Sequence, residues 1–155
     1  MSDLRKTFWA SILEIAKKDK DVILLTGDLG YSFCEQFQKE LPDQFINCGC
    51  AEQNMVGVAS GLARGGKKPY VYSNSIFILM RAGEQVRDDI AYPNLNVKLI
   101  GTGASGFLGF THNLGVLENE TDMIKNMPNI KCSYPEDGEQ LTKALEIDGP
   151  IFIRI

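Results

Sequence analysis

The chain has 155 residues, a length that suits one domain able to bury roughly 70% of the surface of its unfolded state. Hydrophobic residues make up 44% and charged residues 23%, which argues against a disordered, a collagen-like or a disulfide-scaffold protein. The net charge is −4 and the sequence shows no basic patch, so nothing in it indicates nucleic-acid binding.

Two further features bear on membrane and metal binding. The first twenty residues alternate charges with apolar residues at helical spacing, which is unlike a signal peptide or a membrane anchor. We therefore expect a cytoplasmic protein that does not bind membranes. The cysteines Cys34, Cys48, Cys50 and Cys132 include no CxxC pair, so we expect no metal site at these thiols.

The predicted elements alternate between helices and strands along the chain. Apolar residues from Leu4 to Ile15 predict a first amphipathic helix, and DVILLT at 21–26 is typical of a strand buried on both faces. The same patterns then predict a helix at 33–40, a strand at 44–47, a helix at 52–64, a strand at 69–73 and a helix at 76–90 whose apolar positions include Leu79 and Met80. They continue with a strand at 97–101, a helix near 119–126, a strand at 130–134, a helix at 138–147 and a strand at 151–155.

This alternation predicts an α/β fold of three layers, with residues 1–155 forming a single domain. A mostly parallel, doubly wound sheet of about six strands would be covered by helices on both faces. Ligands of such sheets bind at the carboxyl ends of the strands. The loops at 27–32, 49–54 and 101–113 would lie at that edge.

The common phosphate-binding and hydrolase motifs are missing from the expected places. No GxGxxG follows the first predicted strand, and the sequence contains no GxxxxGK[ST] and no GxSxG. A stand-alone nucleotide-binding domain is therefore disfavoured, although tight nucleotide binding by the isolated chain, measured by calorimetry, would revive that interpretation.

Glu52 opens the predicted helix at 52–64. An acid in the first turn stabilises a helix through its dipole and needs no other role. The helix also carries small residues that leave its surface nearly smooth, so that another backbone can approach closely: Gly57, Ala59, Ser60, Gly61 and Ala63. We expect this helix to be central in the fold.

The segment AEQNMVGVASGLA at 51–63 resembles the glutamate segment of the pyrimidine-binding domain of transketolase-type thiamine-diphosphate enzymes. That group includes 1-deoxyxylulose-5-phosphate synthases and, more remotely, 2-oxo acid dehydrogenase beta subunits. The resemblance continues in the family's order through DVILLTGDLGYS at 21–32, RAGEQVRDDIAYPNLNVKLIGTG at 81–103, the pair Thr111 and His112, MPNIKCSYPED at 127–137 and GPIFIRI at 149–155. It covers essentially the whole chain and implies the family's thiamine-diphosphate-binding fold.

The resemblance implies cofactor contacts for four residues. Glu52 would hydrogen-bond N1′ of the aminopyrimidine and share a proton with it, and Phe77, four residues before RAGEQVR, would lie against the pyrimidine. Asp28 and Arg81 belong to matching segments and would also contact the cofactor. Phe77 has a simpler interpretation as well, since IFILM is the apolar start of a helix and suits a hydrophobic core.

The resemblance also implies substrate contacts. His112, the single histidine, would hydrogen-bond the donor substrate near the reacting carbon and serve as a catalytic residue beside Glu52. Arg5 and Ser32 match positions on the phosphate side of the substrate. A histidine in a Gly-rich loop, a charge on an exposed helix and a loop hydroxyl can each lack any such role, and these alternatives stay open.

Three departures from the family pattern bear on the substrate. Leu108 stands where transketolases carry an acid before the Thr-His pair, Tyr134 stands where many have a phosphate-binding arginine, and Asn74 stands where aromatic or apolar residues are frequent. We therefore expect a substrate other than ordinary pentose and hexose phosphates, such as a modified or nucleotide-linked sugar or a 2-oxo acid.

Family members bind the cofactor's diphosphate and a divalent metal through a separate domain with a GDG…N segment, and this sequence contains no GDG. We therefore expect the pyrimidine-binding subunit of a split enzyme. A separately encoded GDG…N subunit would hold Mg²⁺ or Ca²⁺, and the pyrimidine-binding subunits would associate with each other at the centre of an α2β2 heterotetramer.

The implied activity is that of a transketolase-like transferase, active with its partner, which uses thiamine diphosphate to move a two-carbon ketol or acyl unit between sugar-like or 2-oxo acid substrates. Two alternatives stay open. One is a non-catalytic scaffold or regulatory subunit with the same fold. The other is a synthase or decarboxylase of the 1-deoxyxylulose-5-phosphate synthase or 2-oxo acid dehydrogenase beta type.

Overall fold

The computed structural model describes residues 3–103 and 122–155, in which strands and helices alternate along the chain. The strands are β1 (Val22–Thr26), β2 (Phe45–Asn47), β3 (Lys68–Asn74), β4 (Lys98–Thr102), β5 (Lys131–Ser133) and β6 (Ile151–Arg154). The helices are α1 (Leu4–Lys18), α2 (Cys34–Glu40), α3 (Glu52–Arg64), α4 (Gly83–Gln85) and α5 (Gly138–Leu145), with a 3-10 turn at Pro42–Gln44 and π-helical turns at Phe77–Arg81 and Val86–Ala91. The predicted helix near 119–126 lies partly outside the described residues, and of its described part residues 122–124 are helical.

Within the described residues, the six strands form one sheet in the order β2-β1-β3-β4-β6-β5, and each neighbouring pair is parallel. The chain runs outward from β1 to β2 and then crosses back to β3 on the other side of β1. The direction of winding therefore reverses between β1 and β3, and this reversal creates a crevice at the carboxyl ends of these two strands. The predicted doubly wound α/β fold is confirmed.

Helices cover both faces of the sheet and bury an apolar cluster on each. The first cluster joins α1, α2 and α5 to the sheet, and the second joins α3 and the helical segment 77–91 to the opposite face. Because successive side chains of a strand point to opposite faces, β3 contributes Tyr70 and Tyr72 to the first cluster and Val71 to the second. This is the predicted three-layer arrangement.

Local signals explain where the two capped helices begin. The Asp3 carboxylate accepts a hydrogen bond of 3.1 Å from the Arg5 backbone N–H at the start of α1. At the start of α5, the Asp137 carboxylate accepts one of 2.8 Å from the Gln140 backbone N–H. Each bond satisfies a donor that the first helical turn leaves without an intrahelical partner.

The segment predicted as a regular helix at 76–90 is a mixed helix, because π-helical turns lie at both ends of α4. In these turns the backbone bonds span five residues, as from the Ala82 N–H to the Phe77 carbonyl at 3.1 Å. Each π turn therefore holds one residue more than an α-helical turn, which shifts the buried face. Ile78, Leu79 and Ala82 are buried, whereas Met80 is 58% exposed. Met80 therefore does not lie on the buried face of the helix with Leu79, as the helical spacing predicts.

The cysteines and the helices can be compared with the expectations that the thiols form no metal site and that the protein does not bind membranes. Cys34 is buried, Cys48 is partly buried, and Cys50 and Cys132 are exposed; all four are free thiols. Among the described residues, no three His, Cys, Asp or Glu side chains are grouped so as to hold a metal ion. No helix in residues 3–103 and 122–155 is both long and apolar enough to cross a bilayer.

The packing of β4 against its neighbours generates a prediction at Gly101. A Cβ atom at this position would lie 2.5 Å from Ser75 Oγ and 2.7 Å from the Phe152 ring. We expect Gly101→Ala to lower the free energy of unfolding by about 1–3 kcal/mol through overpacking, as measured by urea denaturation.

Gly57 in α3 provides the matched control, because no described atom lies within 4 Å of a Cβ built there. Gly57→Ala should raise the free energy of unfolding by about 0.5–1 kcal/mol, since alanine loses less backbone entropy in a helix. A Gly101→Ala variant as stable as the wild type would contradict the close packing.

Candidate active site

The side chain of Glu52 lies at the crevice between β1 and β3. Glu52 is the first residue of α3 and is 1% exposed. Ser73, near the carboxyl end of β3, donates a hydrogen bond of 3.0 Å to Glu52 Oε1. On the β1 side a Cβ atom at Gly27 would lie 3.1 Å from the same oxygen, so the absence of a side chain there makes room for the carboxylate. A carboxylate withdrawn from water at this point of an α/β sheet is a candidate reaction centre.

Arg81 connects Glu52 to an aromatic ring. Its Nη1 donates a hydrogen bond of 2.6 Å to Glu52 Oε2, and its guanidinium carbon lies 4.1 Å from the centre of the Phe77 ring. The pair is unevenly buried, because the Arg81 side chain is 40% exposed and that of Glu52 is 1% exposed. Glu52, Arg81 and Phe77 thus form a continuous array, which we call the Glu52 array.

A cavity of about 710 Å³ adjoins this array and shares Phe77 with it. Asn74 and Thr102, at the carboxyl ends of β3 and β4, line the cavity together with Arg5 and Tyr31. Its volume lies within the range of roughly 300–1,000 Å³ that is typical of small-molecule sites. The cavity opens at the edge of the sheet at which the sequence predicts ligand binding.

Asp28 braces two loops beside the crevice. Its Oδ1 accepts hydrogen bonds from the Tyr31 hydroxyl at 2.5 Å and from Asn47 Nδ2 at 3.1 Å, while Asn47 Oδ1 accepts bonds from the Asp28 and Gly49 backbone N–H groups. The Tyr31 hydroxyl and then the Asn47 amide hold the pKa of Asp28 below its usual value, and Asp28 raises the pKa of Tyr31 in return. Asp28 and Ser32 have φ values of 58° and 71°, so these bonds stabilise a strained loop.

Arg5 and Ser32 line different cavities. Arg5 lines the cavity of about 710 Å³ together with Phe77, and its guanidinium is bound at two nitrogens by the Asp3 carboxylate at 3.0 and 3.1 Å. Ser32 lines a neighbouring cavity of about 280 Å³, and its backbone N–H donates to Glu35 Oε1 at 2.9 Å. The structure therefore brings Arg5, but not Ser32, to the cavity that Phe77 lines.

The remaining predicted positions divide between described and undescribed parts of the chain. His112, Thr111 and Leu108 lie outside the described residues. Asn74 is 4% exposed, and its Oδ1 accepts a hydrogen bond of 3.1 Å from the Ile76 backbone N–H. Tyr134 packs against the apolar cluster beneath α3 and the segment 77–91.

Sequence reasoning missed three residues that build this region, namely Ser73, Asn47 and Tyr31. Ser73 and Asn47 each stand at the carboxyl end of a predicted strand, and parallel strands bring such positions together. A position at the end of a predicted strand could therefore have identified Ser73 and Asn47 as close to the site. It could not have identified the group to which each side chain is hydrogen-bonded.

Comparison with known proteins gives one family match over nearly the whole chain. The family described as "Transketolase, pyrimidine binding domain" matches residues 1–152. An apulose-4-phosphate transketolase subunit of Phocaeicola vulgatus is 36% identical over 159 residues, which cover 97% of this chain and 50% of that protein. The 6-deoxy-6-sulfo-D-fructose transketolase subunit SqwH of a Clostridium species is 37% identical over 160 residues, which cover 98% and 49%. The chain thus spans about half the length of these two relatives.

Solved structures give a matching fold. A structure described as a split gene transketolase, inactive β4 tetramer, has a TM-score of 0.83 and 35% identity, covering 97% of this chain and 50% of that one. Transketolase from Campylobacter jejuni has a TM-score of 0.82 at 22% identity, covering 97% and 25%, and this likeness concerns the fold alone.

The hydrogen bond between Ser73 and Glu52 generates a prediction about stability. Ser73→Ala removes a donor from a buried carboxylate, which should cost about 1.5–3 kcal/mol of unfolding free energy, the usual range for bonds to charged groups. Ser60→Ala is the control, because the Ser60 hydroxyl donates at 3.0 Å to the neutral carbonyl of Asp89 and its loss should cost about 0.5–1.5 kcal/mol. Urea denaturation measures the unfolding free energy of both variants. Equal losses of unfolding free energy would contradict a bond from Ser73 to a charged Glu52 carboxylate.

Proposed function

This chain belongs to the family of transketolase pyrimidine-binding domains, and we propose that it is the pyrimidine-binding subunit of a two-subunit, transketolase-like enzyme. The enzyme would use thiamine diphosphate to transfer a two-carbon unit, with residues 1–155 acting as one domain. The observation that carries the proposal is the buried Glu52 carboxylate, joined through Arg81 to the Phe77 ring at the crevice of the sheet.

The residues of the Glu52 array fit an aminopyrimidine. Such a ring is flat, accepts and donates hydrogen bonds at its edge, and stacks on aromatic faces. The array offers a buried carboxylate as hydrogen-bond partner and the Phe77 ring as a stacking face. A flat N–H donor, the Arg81 guanidinium, already lies over Phe77 and reaches Glu52, which supports the fit. Glu52 and Phe77 would hold the pyrimidine, and Asp28 would contribute from a neighbouring turn. The resemblance also implies a cofactor contact for Arg81, whose guanidinium lies at the place that the ring would take.

The roles of the residues follow from this fit. When bound, thiamine diphosphate supplies an electron sink for cleaving a carbon–carbon bond next to a carbonyl. Glu52 would hold or release a proton at its carboxylate oxygen, where burial keeps out water that would compete for that proton. His112 would hydrogen-bond the donor substrate. Arg5 would bind its anionic end in the cavity that Phe77 lines, and Ser32 would contribute from the neighbouring cavity.

The partner is proposed to be a diphosphate-binding subunit with a GDG…N segment. That subunit would hold Mg²⁺ or Ca²⁺, and two copies of each chain would form an α2β2 heterotetramer. The two relatives that are named as transketolase subunits support a partner subunit, and the structural neighbour described as a split gene transketolase, inactive β4 tetramer, supports association of such subunits with each other.

The proposed substrate is a sugar that differs from ordinary pentose and hexose phosphates. The buried amide of Asn74 lines the cavity wall, and the Arg5 guanidinium there is already bound by Asp3. Two relatives carry names that refer to apulose 4-phosphate and to 6-deoxy-6-sulfo-D-fructose. Both names refer to sugars with an anionic phosphate or sulfo group, which would share the Arg5 guanidinium with Asp3.

Substitution of Glu52 tests the catalytic role. In the complex reconstituted with the diphosphate-binding subunit, Glu52→Gln should lower turnover by about 10²-fold or more, the usual contribution of a proton-transferring side chain. Glu84→Gln, an exposed acid on the same side of the sheet, should leave turnover unchanged. Assembly, followed by analytical ultracentrifugation, should persist in both variants. Full turnover by an assembled Glu52→Gln complex would instead identify a scaffold subunit.

The substrate proposal has a separate test. The reconstituted complex should show a kcat/KM for xylulose 5-phosphate with ribose 5-phosphate at least about tenfold below that for its best modified sugar. A tenfold ratio corresponds to about 1.4 kcal/mol of difference in transition-state stabilisation between the two substrates. The panel should include apulose 4-phosphate and 6-deoxy-6-sulfo-D-fructose. Turnover of the ordinary pair at transketolase-like efficiency would contradict the proposal.

A further inference from the structure

We propose that Arg81 is a placeholder for the aminopyrimidine: its guanidinium fills the space between Phe77 and Glu52, and it leaves that space when the cofactor binds. The inference rests on the proposed function. It assigns to Arg81 a role in regulating access of the cofactor to the site, in addition to its position beside Glu52.

The guanidinium occupies the two contact positions expected of the pyrimidine. It is flat, it donates to Glu52 Oε2 at 2.6 Å, and it lies over the Phe77 ring at 4.1 Å from the ring centre. A pyrimidine held by Glu52 and Phe77 would use the same carboxylate and the same kind of stacking contact. Two flat groups cannot lie on one face of a ring at this distance, so occupation by Arg81 and occupation by a pyrimidine on that face exclude each other.

Burial of Glu52 explains why a placeholder is needed. A buried carboxylate without hydrogen-bond donors destabilises a fold strongly. Ser73 supplies a donor to Oε1, and Arg81 supplies the donor to Oε2 together with a compensating charge. The cofactor-free chain is therefore stabilised by the same contact that fills the site.

The position of Arg81 explains why the guanidinium can leave. The Arg81 side chain is 40% exposed, although its partner carboxylate is 1% exposed. Arg81 is also the last residue of the first π turn, and Phe77 at the start of that turn lines the cavity of about 710 Å³. The side chain can thus turn toward solvent without opening the core. An incoming aminopyrimidine would then bond Glu52 through a proton shared between N1′ and the carboxylate, since both atoms otherwise accept.

If Arg81 is a placeholder, its removal should have the opposite effect on cofactor affinity from the removal of a residue that holds the cofactor. The measured affinity of a site is reduced by the fraction of molecules in which the site is open, so removing a placeholder raises the affinity. The same removal lowers the stability of the cofactor-free chain, since Glu52 loses a partner. A cofactor-holding arginine would instead lower the affinity when it is removed.

The test uses Arg81→Ala and Arg81→Gln, in complex with the diphosphate-binding subunit for binding and as the full chain for stability. Calorimetry should show that Arg81→Ala binds thiamine diphosphate roughly tenfold more tightly than the wild type. Its cofactor-free unfolding temperature should fall by about 2–4 °C or more. Arg81→Gln keeps an N–H donor for Glu52, so it preserves more of the stability while still lacking the guanidinium.

Arg87→Ala is the matched control. Arg87 lies on the same helical segment and its side chain is 56% exposed, with an ion pair of 2.5 Å to Asp88. Its removal should change neither the affinity nor the unfolding temperature by a comparable amount. A rescue experiment adds a readout independent of turnover: millimolar methylguanidinium should raise the unfolding temperature of Arg81→Ala, but not of the wild type, and should weaken cofactor binding by that variant.

The outcomes separate this inference from the proposed function. Tighter binding by both Arg81 variants, with rescue by methylguanidinium, supports the placeholder. Binding that is weaker or unchanged in both variants would overturn it and leave the proposed function intact. No binding of thiamine diphosphate by the wild-type complex or by any variant would overturn the proposed function, and the placeholder with it.

Discussion

A carboxylate that is removed from water must be given hydrogen-bond donors, and the arrangement around Glu52 meets this requirement from several elements at once. The end of β3 supplies Ser73, the first π turn supplies Arg81, and the glycine after β1 leaves space for the carboxylate. Ser73 and Arg81 lie 21 and 29 residues from Glu52 in sequence, and the glycine follows a different strand, so the local environment of Glu52 depends on the pairing of β1 with β3. The polar site and the apolar core are thus positioned by the same strands.

The crevice follows from topology and the donors follow from local chain geometry. Reversal of the winding between β1 and β3 opens the edge of the sheet, and this would occur with many sequences of the same strand order. The π turn depends on the local sequence, and it places a flat cation and an aromatic ring in contact beside the carboxylate. π-helical turns are frequent at functional sites, where a gain in side-chain placement offsets poorer backbone bonding.

The sequence predicts the architecture well because apolar periodicity and glycine positions report directly on strands and helices. The bounds of α3 at 52–64 and the burial of the strand at 22–26 follow from such local patterns. The π turns could not be predicted in this way, because a periodicity argument assumes 3.6 residues per turn and so places Met80 on the wrong face. Likewise, the bond from Ser73 to Glu52 and the separation of Arg5 from Ser32 depend on contacts between distant residues. The role of His112 stays a prediction, since it lies outside the described residues.

Gly27 has a consequence for comparing members of this family. A Cβ atom there would lie 3.1 Å from Glu52 Oε1 and 3.3 Å from Ser73 Oγ, so a larger side chain would crowd both the acid and its donor. A homologue with a bulky residue at this position must therefore shift its acid or the hydroxyl that bonds it. Glycine at position 27 is therefore coupled to the serine and the glutamate, because all three are needed for this placement of the buried carboxylate.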